Sequence, residues 1–479
     1  MLNTIYVNHQ KEAIYPSGKY FFSPSKDYPE YAYETISEET NYVYDMIRDS
    51  FLKMRLDKEH YGKSNWNPLG DIIHPGDTVL IKPNLVTHKN LSGGGLNCLT
   101  THPSIIRAVL DYVLIALKNK GCVILGDAPV QSCDFEQLLV DGDYMKIIQF
   151  YKKQGVELSY IDFRETTAKI VDGILLREHN TNKGSFGIIV DIGAESAFNG
   201  TETRAYKISN YNASILKEHH NEMHHEYSIY RGALKADVII NLPKPKTHRI
   251  AGMTGALKNM IGLNTMKEYL PHHSIGAPGV GDEYPNKSWL KELQSYCQNR
   301  VDLLLDKYHN YERQFWSYLL RFVNLLNTVE CKITGNRDIV AGCWKGNDTI
   351  WRTIIDINRI LVFADKDGIL RDQPQRKILT IADMIICGQG EGPLRPSPYN
   401  MGIILTGMNS IAIDCTIAKL MGIDPDSIPS LVNAGFGEKY TLNNEDVIVS
   451  SNIDEFNSGN LEISREIFGK IIMPNGWGK

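Results

Sequence analysis

Between Asp77 and Tyr160 short apolar runs alternate with longer amphipathic ones, and no other feature of the chain limits its fold as much. Thr78-Val79-Leu80-Ile81 and Cys122-Val123-Ile124-Leu125 read as strands, and Val156 to Tyr160 as a further one. Ser104 to Lys118, entered through Thr101-His102-Pro103, and Asp143 to Gln154 read as the helices between them. Strands joined through helices pair in parallel, with the helices laid on the faces of the sheet. Val238-Ile239-Ile240, with Leu242, is apolar at consecutive positions and rich in β-branched residues, as a strand buried on both faces should be. The alternation resumes through Ile339-Val340-Ala341, Trp351 to Phe363, Leu379 to Cys387 and Gly402 to Leu405, and ends in a helix from Ser410 to Met421 stopped by Gly422.

The expected fold class is α/β: two Rossmann-like lobes with mainly parallel sheets, a helical insertion and an interlobe cleft. Residues 1–76 are expected as a peripheral segment with one helix around Tyr42 to Leu56, residues 77–285 as the first lobe, 286–330 as the insertion and 331–479 as the second lobe. Residues 165–210 carry three short apolar runs between polar turns, the pattern of an antiparallel insertion or sheet edge. From Asn286 to Thr328 apolar residues recur at helical spacing, which predicts a helical pair that packs on the core, closes as a lid or joins a homo-oligomer. A chain of 479 residues, 42% hydrophobic with net charge −5, has neither the basic field for nucleic acid nor an apolar run of membrane-spanning length. Together with the absence of a secretory pattern at the amino terminus, this predicts a cytoplasmic protein.

Polar residues that follow a buried strand mark where a ligand binds in an open α/β sheet. After Leu242 the chain reads PKPKTHRIAGMTGALKNMIG, which sets Lys244, Lys246, His248, Arg249 and Lys258 around Gly252 and Gly255. Five basic groups on one glycine-punctuated loop point to an anionic ligand, against the plainer reading of a solvated basic loop. Lys82-Pro83-Asn84 and Gly126-Asp127-Ala128-Pro129 leave two other strands, and if those strands share a sheet edge the loops meet in one cleft. The expected catalytic residues are His248, Lys258 and Asp127. Lys82, Asn84, Lys244, Lys246, Thr254, Gly255, Asn259, Gly390 and Gly392 are expected to hold the ligand or cofactor. In Gly388-Gln389-Gly390-Glu391-Gly392-Pro393 the glycines let backbone N–H groups approach an anion, but Glu391 opposes one, so a tight turn is an equal alternative.

Half of the fourteen histidines lie between His219 and His273. His220 and His224 would share a helix face, but HNEMH is not the HExxH of zinc hydrolases, and a solvated polar helix is the plainer reading. His272 and His273, which flank the glycine loop, are the candidate metal ligands. Eight cysteines without a CxxC pair argue against an iron–sulfur cluster. A divalent metal and a nucleotide-derived cofactor both stay open.

IKPNL at Ile81 to Leu85, LPKPKTH at Leu242 to His248, TGALKNMIG at Thr254 to Gly262, and GEGP followed by MNSIAIDCTIAKLMG at Met408 to Gly422 resemble a large bacterial and archaeal family, domain of unknown function 362. The resemblance spans roughly 77–270 and 375–440 and lacks the ferredoxin-like cysteine domain of many relatives. HRIAGMTGALKNMIG also looks like a segment of the nickel-pincer lactate racemases, in which a histidine is followed ten residues later by a lysine carrying a pincer nucleotide. That resemblance implies a covalent nucleotide on Lys258 and a nickel ligand at His272 or His273. Ala256-Leu257 replace the second glycine of that turn, and the racemases' amino-terminal arginine motif has no match here.

The chemistry expected is that of an enzyme, an isomerase-like or transferase protein, acting on a small anionic metabolite or nucleotide-linked group. His248 would serve as general acid/base, the lysines as anion and charge stabilisers, and Asp127 or Asn84 as orienting groups. The alternatives are a non-catalytic ligand-binding or assembly protein and group transfer in sugar or polysaccharide metabolism.

Overall fold

Val238–Leu242, in which all five residues are buried, lies inside a ten-stranded sheet with Thr78–Pro83 on one side and Lys377–Glu391 on the other, both parallel to it. The computed structural model describes residues 4–18, 20, 22–171, 174–180, 186–201, 204–305, 311–334, 338–437, 439–442, 447–457 and 464–478.

The chain begins with β1 (Thr4–His9), α1 (Tyr42–Lys53), β2 (Thr78–Pro83), α2 (Pro103–Leu117), β3 (Cys122–Asp127), α3 (Phe135–Asp141), α4 (Tyr144–Lys153) and β4 (Tyr160–Asp162). It continues with β5 (Thr166–Val171), β6 (Ile174–His179), β7 (Gly187–Asp191), β8 (Tyr206–Lys207), α5 (Ala213–His219), β9 (Glu226–Tyr230) and α6 (Arg231–Lys235). Next come β10 (Val238–Leu242), β11 (Lys246–His248), β12 (Gly252–Thr254), α7 (Ala256–Asn259), β13 (His273–Ser274), α8 (Trp289–Leu303) and α9 (Tyr311–Thr334). The last third holds α10 (Ile350–Phe363), β14 (Lys377–Glu391), β15 (Arg395–Gly407), α11 (Ser410–Leu420) and β16 (Ile448–Ser451).

The sheet order is β16-β1-β15-β14-β10-β2-β3-β4, with β11 and β12 attached beside β14. Pairing is parallel from β14 through β4 and antiparallel on both sides of β15. The α/β class with a mainly parallel sheet therefore holds. Strands assigned from sequence to two lobes pair within one sheet, because β10 joins β14 with Ile239 opposite Ile378 and Ile240 opposite Leu379. Periodicity identifies a strand but not its partner.

The two faces of β10 feed two cores, as period-2 alternation requires. Val238, Ile240 and Leu242 pack with Val79 and Ile81 beneath α1, α2 and α4. Ile239 packs with Leu80 against α10, Leu257 and Leu263 on the other face. Asn241 shares that second face, and its position on a buried strand becomes important at the site.

Residues 1–76 are more than the peripheral cover expected. β1 is an interior strand, antiparallel to β15 and parallel to β16, and α1 packs behind it. Its six residues are too short a run to announce an interior strand. The antiparallel reading of 165–210 is realised in the β5–β6 hairpin and in β7, which pairs with β9. The 286–328 helices form an α8–α9 pair, held in part by hydrogen bonds linking Gln294 to Asn324 and Asn327. Ile339-Val340-Ala341 forms no strand. The helix expected to carry both His220 and His224 ends at His219, and His220 instead bridges to His225. No helix among the described residues is long and apolar enough to cross a membrane.

Candidate functional site

The carboxyl ends of β2 and β3 bring Lys82, Asn84 and Asp127 to one cavity of about 250 Å³, and the segment after β10 adds Lys246, His248, Thr254, Lys258 and Asn259. Lys267, His272, His273, Ser209 and Tyr211 complete the polar lining. The cavity lies at the sheet edge where an open α/β fold receives ligands. Its floor includes Gly262, where a Cβ would stand 2.1 Å from Asp127 Oδ1 and 2.7 Å from Lys82 Nζ, so only glycine fits there.

A chain of buried hydrogen bonds orders this lining. Lys82 Nζ pairs with Asp127 Oδ1 at 2.8 Å and donates to Asn259 Oδ1 at 3.2 Å. Asn84 Nδ2 donates to the same Asn259 oxygen at 2.8 Å, while Lys246 Nζ donates to Asn84 Oδ1 at 2.7 Å. Asn259 Nδ2 donates to Asn241 Oδ1 at 2.8 Å, so the polar residue of β10 anchors the loop that follows it. Asp127 also accepts the N–H groups of Leu85 and Ala128 and joins the two strand-exit loops. This carboxylate, expected from the sequence to be catalytic, organises the wall of the cavity.

Lys244 is outside the cavity lining. It pairs with Asp383 at 2.7 Å in the protein interior, where Asp383 also accepts from Tyr15 Oη and the His102 N–H. Gly390 and Gly392 form no anion cradle: β14 runs on to Glu391 and turns directly into β15. The turn alternative is the one the structure adopts, with the Gly392 carbonyl accepting the Arg249 N–H and Arg249 pairing with Glu391. Gly255 acts through close approach. A Cβ there would sit 2.1 Å from Asp414 Oδ1, the oxygen that accepts the Ala256 N–H, while Oδ2 accepts the Leu257 N–H at 3.0 Å. Asp414 on α11 thus ties down the start of α7 at the two residues that precede Lys258.

Burial holds the lysines of the cavity below the usual ammonium range, Lys82 among them despite its Asp127 partner. It pushes Lys246 down to about 7, helped by Lys244, and Lys258 down to about 8, helped by Lys82. Lys267 also falls to about 7 through burial, although Asp127 opposes the shift. Neither Lys258 nor Lys267 has an ion-pair partner among the described residues. An anion bound here stabilises the ammonium forms, so affinity should decline between pH 7 and pH 9 and binding near pH 8 should take up protons. Calorimetry in two buffers of different ionisation heat measures that uptake; an affinity flat from pH 6 to pH 9 would contradict it.

Two of the cavity's imidazoles, His248 and His272, carry their protons on opposite nitrogens. His248 Nδ1 accepts the N–H groups of Ile250 and Ala251, each at 3.1 Å, so the proton of the neutral ring belongs on Nε2. Burial, with Lys258, His272 and Lys246 nearby, keeps that ring neutral and its pKa well below the usual value. His248 is therefore a hydrogen-bond donor, and the acid/base role expected of it does not suit a ring whose only lone pair is already used. His272 Nδ1 donates to the Leu270 carbonyl at 2.7 Å, which leaves the Nε2 lone pair free. Burial and Lys258 bring its pKa down to about 3, so it too is neutral.

His272 and His273 do not share one set of partners. His273 is turned toward Glu283, with 3.8 Å between His273 Nε2 and Glu283 Oε1, and burial and Lys207 lower its pKa. His272 precedes β13 and His273 opens it, and the two rings meet different partners although both line the cavity. The group of three ligand atoms within mutual reach among the described residues is Asp191, His224 and Glu226, away from this cavity and largely exposed. The pincer nucleotide implied for Lys258 does not fit either. A cavity of about 250 Å³ falls below the roughly 300–1,000 Å³ of drug-sized ligand sites, and a nucleotide needs more room than a small metabolite.

Lys267, Gly262 and Asp414 escape the sequence reading. Lys267 lies in a short turn with no strand before it, and nothing in its neighbours marks it as facing the cavity. Asp414 sits in MNSIAIDCTIAKLMG, a stretch that carries the family resemblance, but as a single acid on an apolar helix its target is invisible without the fold.

The model of one family, Domain of unknown function (DUF362), matches residues 79–178 and 163–419. The chain belongs to the DUF362 family. All polar residues of the cavity, and Asp383 and Asp414 behind it, fall within the DUF362 match. Among curated proteins, the thylakoid-associated protein sll1697 of Synechocystis sp. is 25% identical over 194 residues, which are 40% of this chain and 41% of that protein. This DUF362 chain thus matches less than half the length of that relative. A crystal structure of a Thermotoga maritima protein is 11% identical, with 75% of this chain and 54% of the other covered and a TM-score of 0.28, too low to indicate a shared fold.

Proposed function

We propose that the cavity binds a small organic anion, a carboxylate or phosphate-bearing metabolite, and moves a proton on it. The observation that carries this reading is the pair of amines on Lys258 and Lys267, turned to a cavity of about 250 Å³ with no ion-pair partner among the described residues. A buried lysine with a pKa of 7 to 8 is partly neutral at pH 7.5, and so can take a proton as well as pair with an anion.

The chemistry that follows is abstraction of a proton next to a carbonyl or carboxyl group. The C–H proton passes to a neutral lysine amine, and the electron pair moves to the oxygen. His248 Nε2–H donates to that oxygen, as a neutral imidazole can, while a second lysine, still protonated, offsets the growing charge. Return of the proton from the same amine gives exchange with solvent; return from another group on the opposite face inverts the carbon. Lys246, Asn84 and Asn259 fix the wall against which the substrate lies.

The test is a panel of 2-hydroxy acids, 2-oxo acids and sugar phosphates, with binding followed by calorimetry and C–H exchange followed by NMR in deuterated water. At least one compound should bind and exchange, and Lys258→Met should remove the exchange. Binding without exchange would favour a non-catalytic ligand-binding protein, and no binding at all would sink the reading. A cytoplasmic location belongs to the same proposal, supported by eight unpaired cysteines, which suit a reducing compartment. Cell fractionation checks it.

A further inference from the structure

α9 carries two stripes on opposite sides. Arg313, Val323 and Asn327 are buried on the side that meets α8, where Asn327 Nδ2 donates to Gln294 Oε1 at 2.9 Å and Trp316 meets Tyr296 edge-on. About half a turn away, at 3.6 residues per turn, lie Tyr311, Phe315, Tyr318, Phe322, Leu325 and Val329, each between 45% and 87% exposed. Their spacing of four, three, four, three and four residues is the a/d repeat of a helix that packs along another helix. Single exposed apolar residues are ordinary, but a continuous row over most of a 24-residue helix is not.

We infer that this outer stripe of α9 is the interface of a homodimer, in which the stripes of two copies pack against each other about a twofold axis. The area is sufficient. Four aromatic side chains of about 150–250 Å² each, more than half exposed, together with Leu325 and Val329, offer on the order of 800 Å², what one partner gives to a standard interface. The shape is also suitable. A straight stripe with a 3.5-residue repeat finds its complement in an identical stripe, and α8–α9 from two copies make a four-helix layer. The charges bordering the stripe favour a protein partner over a lipid surface: Glu312 and Glu330 balance Arg321 and Lys332, whereas helices that lie on anionic membranes are rich in lysine and arginine.

The test uses the full chain. Analytical ultracentrifugation at roughly 1–50 µM, the range in which an interface of this size associates, should give twice the 54.1 kDa chain mass. Phe322→Glu should weaken association by at least about 100-fold, as loss of a central anchor does, and leave the melting temperature of the monomer unchanged because the ring is exposed. Tyr318→Glu, one heptad step away, should act in the same way and guards against a local folding defect. A wild-type monomer across that range overturns the inference, and so does a dimer that both substitutions leave intact. Flotation of a monomeric wild type with vesicles of phosphatidylcholine and phosphatidylserine, lost on Phe322→Glu, would assign the stripe to a membrane and overturn it too.

Discussion

Lys258→Met is expected to lower affinity for the cavity's anion by about 10- to 150-fold, the loss of one charge-assisted hydrogen bond of about 1.5–3 kcal/mol. Methionine keeps the length of the side chain and removes the charge. Because no carboxylate pairs with Lys258 among the described residues, no buried acid is stranded, and chemical unfolding should give nearly the wild-type midpoint. Lys82→Met provides the contrast. It leaves Asp127 facing a cavity wall without its partner at 2.8 Å, so it should destabilise the fold as well as the site. Calorimetry with the best-binding anion at pH 7, beside urea unfolding of both variants, separates binding from stability. If Lys258→Met binds as tightly as wild type while folded, the amine is not the anion's partner and the proposal fails at its centre.

Gly255→Ala should cost about 3–5 kcal/mol of stability, a large effect from one methyl group, with its origin in a single close approach. The new Cβ would stand 2.1 Å from Asp414 Oδ1, far inside the contact distance of a carbon and a non-bonded oxygen. Either the carboxylate withdraws and leaves the buried Ala256 and Leu257 N–H groups unsatisfied, at about 1–3 kcal/mol each, or the turn moves and takes Lys258 with it. Asp414→Asn should be milder, because one amide oxygen can still accept one of the two bonds. Urea unfolding ranks the variants, and an undisturbed Gly255→Ala would mean that α11 and α7 are not locked together as described.

The parts of this architecture that sequence could reveal are those set by local pattern. Two-sided apolar runs announce β2, β3 and β10, and helical spacing announces α2, α4, α8 and α11. The meeting of Lys82, Asn84, Asp127, His248 and Lys258 was readable because strand carboxyl ends in a parallel sheet lie along one edge. What stayed hidden depends on long-range partners. Lys244 and Lys246 stand two residues apart in the same loop, yet Asp383 claims the first for the interior and Asn84 turns the second to the cavity. His248 looked like an acid/base because histidines often are, and only the two backbone N–H groups at its Nδ1 show that its lone pair is taken.

The seat of β1 has a consequence for how this molecule is made. Its residues Tyr6 to His9 pair with Ile403 to Thr406, and Thr4 to Val7 pair with Ile448 to Ser451, so the strand waits through some four hundred residues of synthesis for its neighbours. At about 5–20 residues per second the ribosome needs roughly 20–80 s to supply them. During that time the apolar side chains of Ile5 and Val7 have no native place, and a nascent chain of this protein has reason to meet a chaperone before it meets its own last strand.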